Sequence, residues 1–173
     1  MTFGESYRWD MIWGKVMFKV SQRTEYALRA VIELALRAGQ GPVPAREIAE
    51  AQRIPLRFLE QQLATLGKSG LVESFRGSGG GCRLSREASE IRVADVVDAV
   101  EGPFFPMYCL DPGDHTCFQD SRCGLQGLWG EVRTAVRSVF ERVTVADLAL
   151  RHRHLAPENA LWSPEDLLPP SVN

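Results

Sequence analysis

Three cysteines offer the clearest chemistry in this chain. The segment CLDPGDHTCFQDSRC sets Cys109, Cys117 and Cys123 at C-x7-C-x5-C. Thiolates are soft ligands suited to iron–sulfur clusters and to zinc. Gly and Asp between them give a backbone flexible enough for three sulfurs to converge. Three sulfurs leave at least one coordination position to another group. A zinc ion takes four ligands, and His115 inside the loop is available as the fourth. The plain alternative is a set of unliganded thiols in a surface loop. Cys82 lies well upstream and is expected to be a bystander, and His152 and His154 are expected to be solvated.

The compartment bears on this chemistry. The opening MTFGESYRWDMIWGKVMFKV has no uninterrupted apolar core or small-residue cleavage site. No apolar run is long enough to span a bilayer. A cytoplasmic protein without membrane association is expected, and there four cysteines argue against a disulfide framework. A hydrophobic fraction of 45% fits a folded chain and not a disordered one. No Ser/His/Asp arrangement and no G-x-x-x-x-G-K-S/T loop is present, so an enzyme is not expected.

Charge is uneven along the chain. Residues 17–83 carry ten Lys/Arg against six Asp/Glu, while residues 84–173 carry eight against fourteen. A basic segment on an acidic chain points to a local polyanion site.

The elements that must position these groups follow from periodicity. Residues 1–16 show no clear period and are expected to be an N-terminal extension, with Met17 as the natural start. Ser21 suits an N-cap, and Tyr26, Ala27, Ala30, Val31, Leu34 and Ala35 then form one helical face. A short helix follows over Pro44–Ala51 with Ile48 and Ala49 inward. After a tight turn at Gln52–Ile54, Pro55 opens a second helix that is expected to bury Phe58, Leu59, Leu63 and Leu66. This pattern matches a helix-turn-helix. Leu71–Phe75 and Cys82–Ser85 read as strands around the glycine-rich tip Arg76–Gly81, which adds a wing. Ile91–Val100 runs into a helix with Val93, Val96, Val97 and Val100 inward, stopped by Gly102-Pro103. Downstream of the cysteines, Leu125, Leu128, Trp129, Val132, Ala135, Val136, Val139, Phe140 and Val143 form an apolar stripe about five turns long. The small head cannot cover that stripe, so a partner helix is expected. Thr144 suits the cap of a last short helix, VADLAL, and residues 151–173 are expected to be a flexible tail.

Within this frame, Arg57, Glu60 and Gln61 occupy the first turns of the recognition helix. Arg suits guanine, Gln adenine and Glu cytosine. Arg76 at the wing tip suits a minor groove. Arg46 and Lys68 suit phosphate contacts, which position without specifying sequence.

Taken together, SQRTEYALRA, IPLRFLEQQLATLGKSGLVESFRGSGGGCRL, VADVVDAVEGP, the three cysteines and VADLAL make the chain resemble the Rrf-two family of bacterial winged-helix regulators, from Met17 to about Leu150. The resemblance implies a homodimeric DNA-binding repressor or activator, with an iron–sulfur cluster in many members and other signals in the rest. Two positions depart from the pattern. The wing carries Cys82 where an aromatic is usual, and Gln126 stands where some cluster-binding members have a ligating His. In other members an acidic residue of the first helix, supplied by the partner subunit, completes the shell, and Glu25 occupies the similar position.

The expectation is therefore a mainly α protein with a small β-hairpin: a winged helix-turn-helix head over 17–103, a cysteine loop over 104–124, a dimerisation helix over 125–150 and a tail over 151–173. It would bind a double-stranded DNA operator as a homodimer paired through Leu128, Val132, Val136, Val139 and Val143. Repression is the expected sign. An iron–sulfur cluster of the 2Fe-2S or 4Fe-4S type on Cys109, Cys117 and Cys123, with Glu25 or His115 completing it, would set operator affinity in response to iron, redox state or nitric oxide. The alternative is a cluster-free regulator controlled by a partner protein or small molecule, or one with zinc in the loop.

Overall fold

The Ser21 hydroxyl accepts the Thr24 amide at 3.2 Å and caps helix α1 (Gln22–Leu36). The computed structural model describes residues 20–77, 79–113 and 123–154. The expected extension at 1–16, Met17, His115, Cys117 and the tail beyond residue 154 lie outside the described residues. Helix α1 buries Ala27, Ala30, Val31, Leu34 and Ala35, as its spacing predicts, and also Thr24 and Glu33.

Helices α2 (Ala45–Gln52) and α3 (Leu56–Lys68) form the helix-turn-helix. Arg53 makes the turn in the left-handed region, at φ 50. The Ile54 amide donates back to the Ala49 carbonyl at 2.9 Å, and the Ile54 side chain is buried. Pro55 lacks an amide proton to continue α2, and its fixed φ suits the entry to α3.

Strands β1 (Val72–Phe75) and β2 (Gly81–Leu84) pair antiparallel, with Val72 opposite Leu84 and Phe75 opposite Gly81. The wing root is also joined to the segment before α2. The Val43 and Cys82 amides each donate to the other's carbonyl at 2.8 Å. A Cβ on Gly81 would lie 2.4 Å from the Val43 carbonyl carbon, so this close approach requires glycine.

Helix α4 (Val93–Glu101) ends at Gly102, which adopts φ 80. Helices α5 (Gly124–Arg142) and α6 (Val145–His154) follow. The α5–α6 junction is clipped to the start of α4: the Val93 amide donates to the Val143 carbonyl at 2.9 Å, and the Val145 amide to the Ile91 carbonyl at 2.8 Å. Thr144 and Asp147 cap α6 reciprocally, each side chain accepting the other's amide. Val145 and Ala149 enter the same core as Val31, Ile48, Leu59, Leu66, Ile91 and Val96.

Three expectations change. Phe58, expected in the core, is 51% exposed, and Gln62 is buried instead. Leu59, Leu63 and Leu66 fix which face of α3 turns inward, and at 100° per residue that face takes in Gln62 and excludes Phe58. The chain stays helical to His154 rather than becoming tail at residue 151. The last helix of the segment 125–150, assigned with α5 to dimerisation, belongs instead to the core of the head. Helix α5 has no buried residue within the single chain.

Candidate nucleic-acid interface and metal centre

Helix α3 owes its placement to the turn before it, and a polar chain braces that turn from behind. Buried Gln52 donates from Nε2 to Oε2 of buried Glu33 at 2.8 Å. Arg29 reaches the Gln52 carbonyl through Nη2 and the Gln52 side chain through Nε. Arg37 donates to Glu33 and to Glu47, both at 2.7 Å. The Glu33 hydrogen bond is the main reason the Arg37 guanidinium is held above its ordinary range. The sequence reading missed Glu33 and Gln52, because a polar residue on a helix looks like surface until its neighbours are known.

On the outer side, Arg57, Glu60, Gln61 and Lys68 of α3 are all exposed, as is Arg76 at the wing tip. Arg53 in the turn is exposed as well. Among the described residues no carboxylate lies within ion-pair distance of Arg53, Arg57, Lys68 or Arg76, so these cations are free for a polyanion. Arg46 lies on α2 and pairs loosely with Glu50 at 3.7 Å. On the wing, Arg83 is held by Glu73 at 2.9 Å and stacks over the Phe75 ring. The geometry is a helix with one exposed polar face packed beside a hairpin, with these cations on both, which suits a groove and its flanking phosphates.

The two described thiols of the cysteine loop lie next to α5. Cys109 sits in the 3-10 turn Tyr108–Leu110, which packs against α5. Cys123 is the N-cap of α5 and makes no side-chain capping bond. Both are free and half-buried. The donor set fits a soft metal group at this point: two uncommitted sulfurs, one of them at the positive end of a 19-residue helix. Among the described residues no three His, Cys, Asp or Glu side chains are gathered as a metal site. Cys117 and His115 fall outside that description. Glu25 lies exposed in the first turn of α1 and pairs with Arg29 at 3.1 Å. Cys82 is buried at the wing root with its Sγ 3.5 Å from the Ser74 hydroxyl.

The head and α5 are tied by charge as well as by backbone. Arg137 of α5 donates to Asp98 of α4 at 2.5 Å and to Glu141 at 2.6 Å. Glu101, at the end of α4, accepts from the Ser21 and Thr24 hydroxyls and from Arg23. The Ser21 hydroxyl is the main reason its carboxyl is held below the usual range, with Thr24 and Arg23 adding to it.

Comparison with known proteins agrees with this geometry. The family described as "Rrf2: Iron-dependent Transcriptional regulator" matches residues 20–151. The HTH-type transcriptional regulator IscR of Serratia proteamaculans is 36% identical over 130 residues, covering 75% of this chain and 78% of the relative. Among solved structures, CymR of B. subtilis, titled the global cysteine regulator, superposes with a TM-score of 0.66 at 33% identity, over 78% of this chain and 98% of its own. T. potens IscR superposes with a TM-score of 0.64 at 30% identity, over 87% and 97%. The winged-helix fold and the DNA-binding class are shared with these regulators, none of which is described as an enzyme. The chain belongs to the Rrf2 family of transcriptional regulators.

Proposed function

We propose that this regulator is a homodimer whose cysteine loop holds an iron–sulfur cluster, and that the cluster sets operator affinity. The observation that carries this reading is the placement of two free thiols against one helix: Cys123 is the N-cap of α5, Cys109 lies in the turn packed on it, and no residue of α5 is fully buried within the single chain. Cys109, Cys117 and Cys123 would hold the cluster, with Glu25 of the partner subunit or His115 at the remaining position. When bound, the cluster supplies iron redox chemistry and a charge that changes with oxidation or loss. The protein's part is mechanical. Leu128, Val132, Val136, Val139 and Val143 pair α5 with its two-fold mate in an isologous contact. The Val93–Val143 and Arg137–Asp98 bonds carry the position of α5 into the head. Repression is the assigned sign, and the response requires the two cluster states to differ in affinity for DNA.

A second reading rests on the likeness to CymR, whose title names cysteine and not iron. Here a small molecule or partner protein, or zinc in the loop, takes the place of the cluster. Purification without oxygen, with iron and sulfide counted and a visible spectrum recorded, separates the two. Coloured protein is expected, with colour lost in Ser variants of Cys109, Cys117 or Cys123, kept in Cys82→Ser and altered in Glu25→Ala. Colourless wild-type protein with stoichiometric zinc replaces the cluster with a structural metal. Full retention in Cys117→Ser removes the loop from its role.

A further inference from the structure

Phe58 is out of place for a core residue and well placed for a reading one. It is the third residue of α3, half its surface is open to water, and polar Gln62 takes the buried position below it. The flanking Arg57 and Gln61 are exposed too. Residues three apart on a helix are surface neighbours, so Phe58 and Gln61 occupy adjacent positions on α3. Among the described residues no aromatic or cationic partner holds the ring; the Phe75 ring of the wing is engaged by Arg83 instead.

A helix-turn-helix presents the first turns of its second helix to base edges. Any docking that lets Arg57 and Gln61 touch bases therefore brings Phe58 into the major groove. A phenyl ring offers no hydrogen bond to a base edge or a phosphate. The apolar group that the major groove presents is the C5 methyl of thymine, and phenylalanine is among the side chains that pack on it.

We propose that Phe58 is a specificity-determining residue that packs on a thymine methyl at one position in each operator half-site, beside the base met by Gln61. The probe is a duplex enriched from randomised DNA by the full-length protein. Each thymine of one half-site is exchanged in turn for deoxyuridine, which removes only the methyl. One exchange should weaken wild-type binding about fourfold, the worth of one buried methyl group. The same exchange should leave Phe58→Ala binding unchanged, while its urea midpoint stays at the wild-type value because the ring is exposed. Should Phe58→Ala bind too weakly to titrate, the pair is compared at lower salt, which strengthens phosphate contacts without restoring a methyl contact. Wild-type binding indifferent to every exchange, or a penalty that persists in Phe58→Ala, overturns the assignment. A selection that enriches no sequence removes base reading by α3 as a whole; enrichment without a methyl-dependent position removes Phe58 alone.

Discussion

Truncating Gln52 to alanine tests whether the brace behind the helix-turn-helix is a stabilising element. Gln52 is the last residue of α2, immediately before the left-handed Arg53 that redirects the chain into α3. Its amide donates to the buried Glu33 carboxylate at 2.8 Å. A hydrogen bond to a charged group contributes about 1.5–3 kcal/mol. The methylene that alanine also lacks adds about 0.8 kcal/mol. Alanine is the better helix former, which returns a few tenths. Glu33 keeps Arg37 at 2.7 Å, so the carboxylate is weakened and not orphaned. The expected loss is about 2–3.5 kcal/mol, a large part of the roughly 5–15 kcal/mol of a typical domain. Urea unfolding at one fixed protein concentration measures it, since association adds to apparent stability. The double variant with Glu33→Ala should show about 1–2 kcal/mol of coupling between the two sites. A single-variant loss under about 0.5 kcal/mol, or strict additivity in the cycle, refutes the brace.

Three further outcomes are expected. Replacing Val136 and Val139 together with Asp should give monomers with weak operator binding, read by light scattering and titration; wild-type protein that is itself monomeric at micromolar concentration contradicts the α5 interface. Arg76→Ala should weaken operator binding with the urea midpoint unchanged and should lower the salt slope by about one counterion; an unaltered affinity removes the wing tip from the interface. Ser21→Ala should destabilise the fold by about 1 kcal/mol as a lost cap and should also remove the main support of the Glu101 carboxylate. That support is present above the unfolded carboxylate pKa of about 4 and is lost as pH falls through the lower folded value. The deficit of Ser21→Ala should therefore be largest near neutral pH and shrink in acid, and a deficit constant with pH in urea melts argues against the Ser21–Glu101 link.

Strong periodicity made most of the head legible. Ala27, Ala30, Val31 and Leu34 could occupy only one face of α1, and Pro55 could only follow a break. Phe58 reads as a core residue on hydrophobicity alone, yet it is exposed and Gln62 is buried. The three leucines of α3 set the helix phase, and phase overrides the preference of a single residue. The end of α6 was misplaced for a related reason: Arg151, His152, Arg153 and His154 look like tail by composition, yet cations suit the last turn of a helix. Exposed Arg57, Gln61 and Arg76 were legible from the turn and wing that frame them. The brace of Arg29, Glu33 and Gln52 was not, because it joins α1 to α2 through contacts that no local period encodes.

The paired amides between Val43 and Cys82 have a consequence for timing. They tie the wing root to the segment leading into α2, and Gly81 lets the backbones meet without a side chain between them. Wing, turn and recognition helix thus form one prefolded body. A body assembled before contact spends little time ordering itself on each new duplex, so cognate and random DNA should capture it at similar rates, set by diffusion and charge. Sequence is then felt in the lifetime of the complex: the head tries sites quickly and stays where the bases fit.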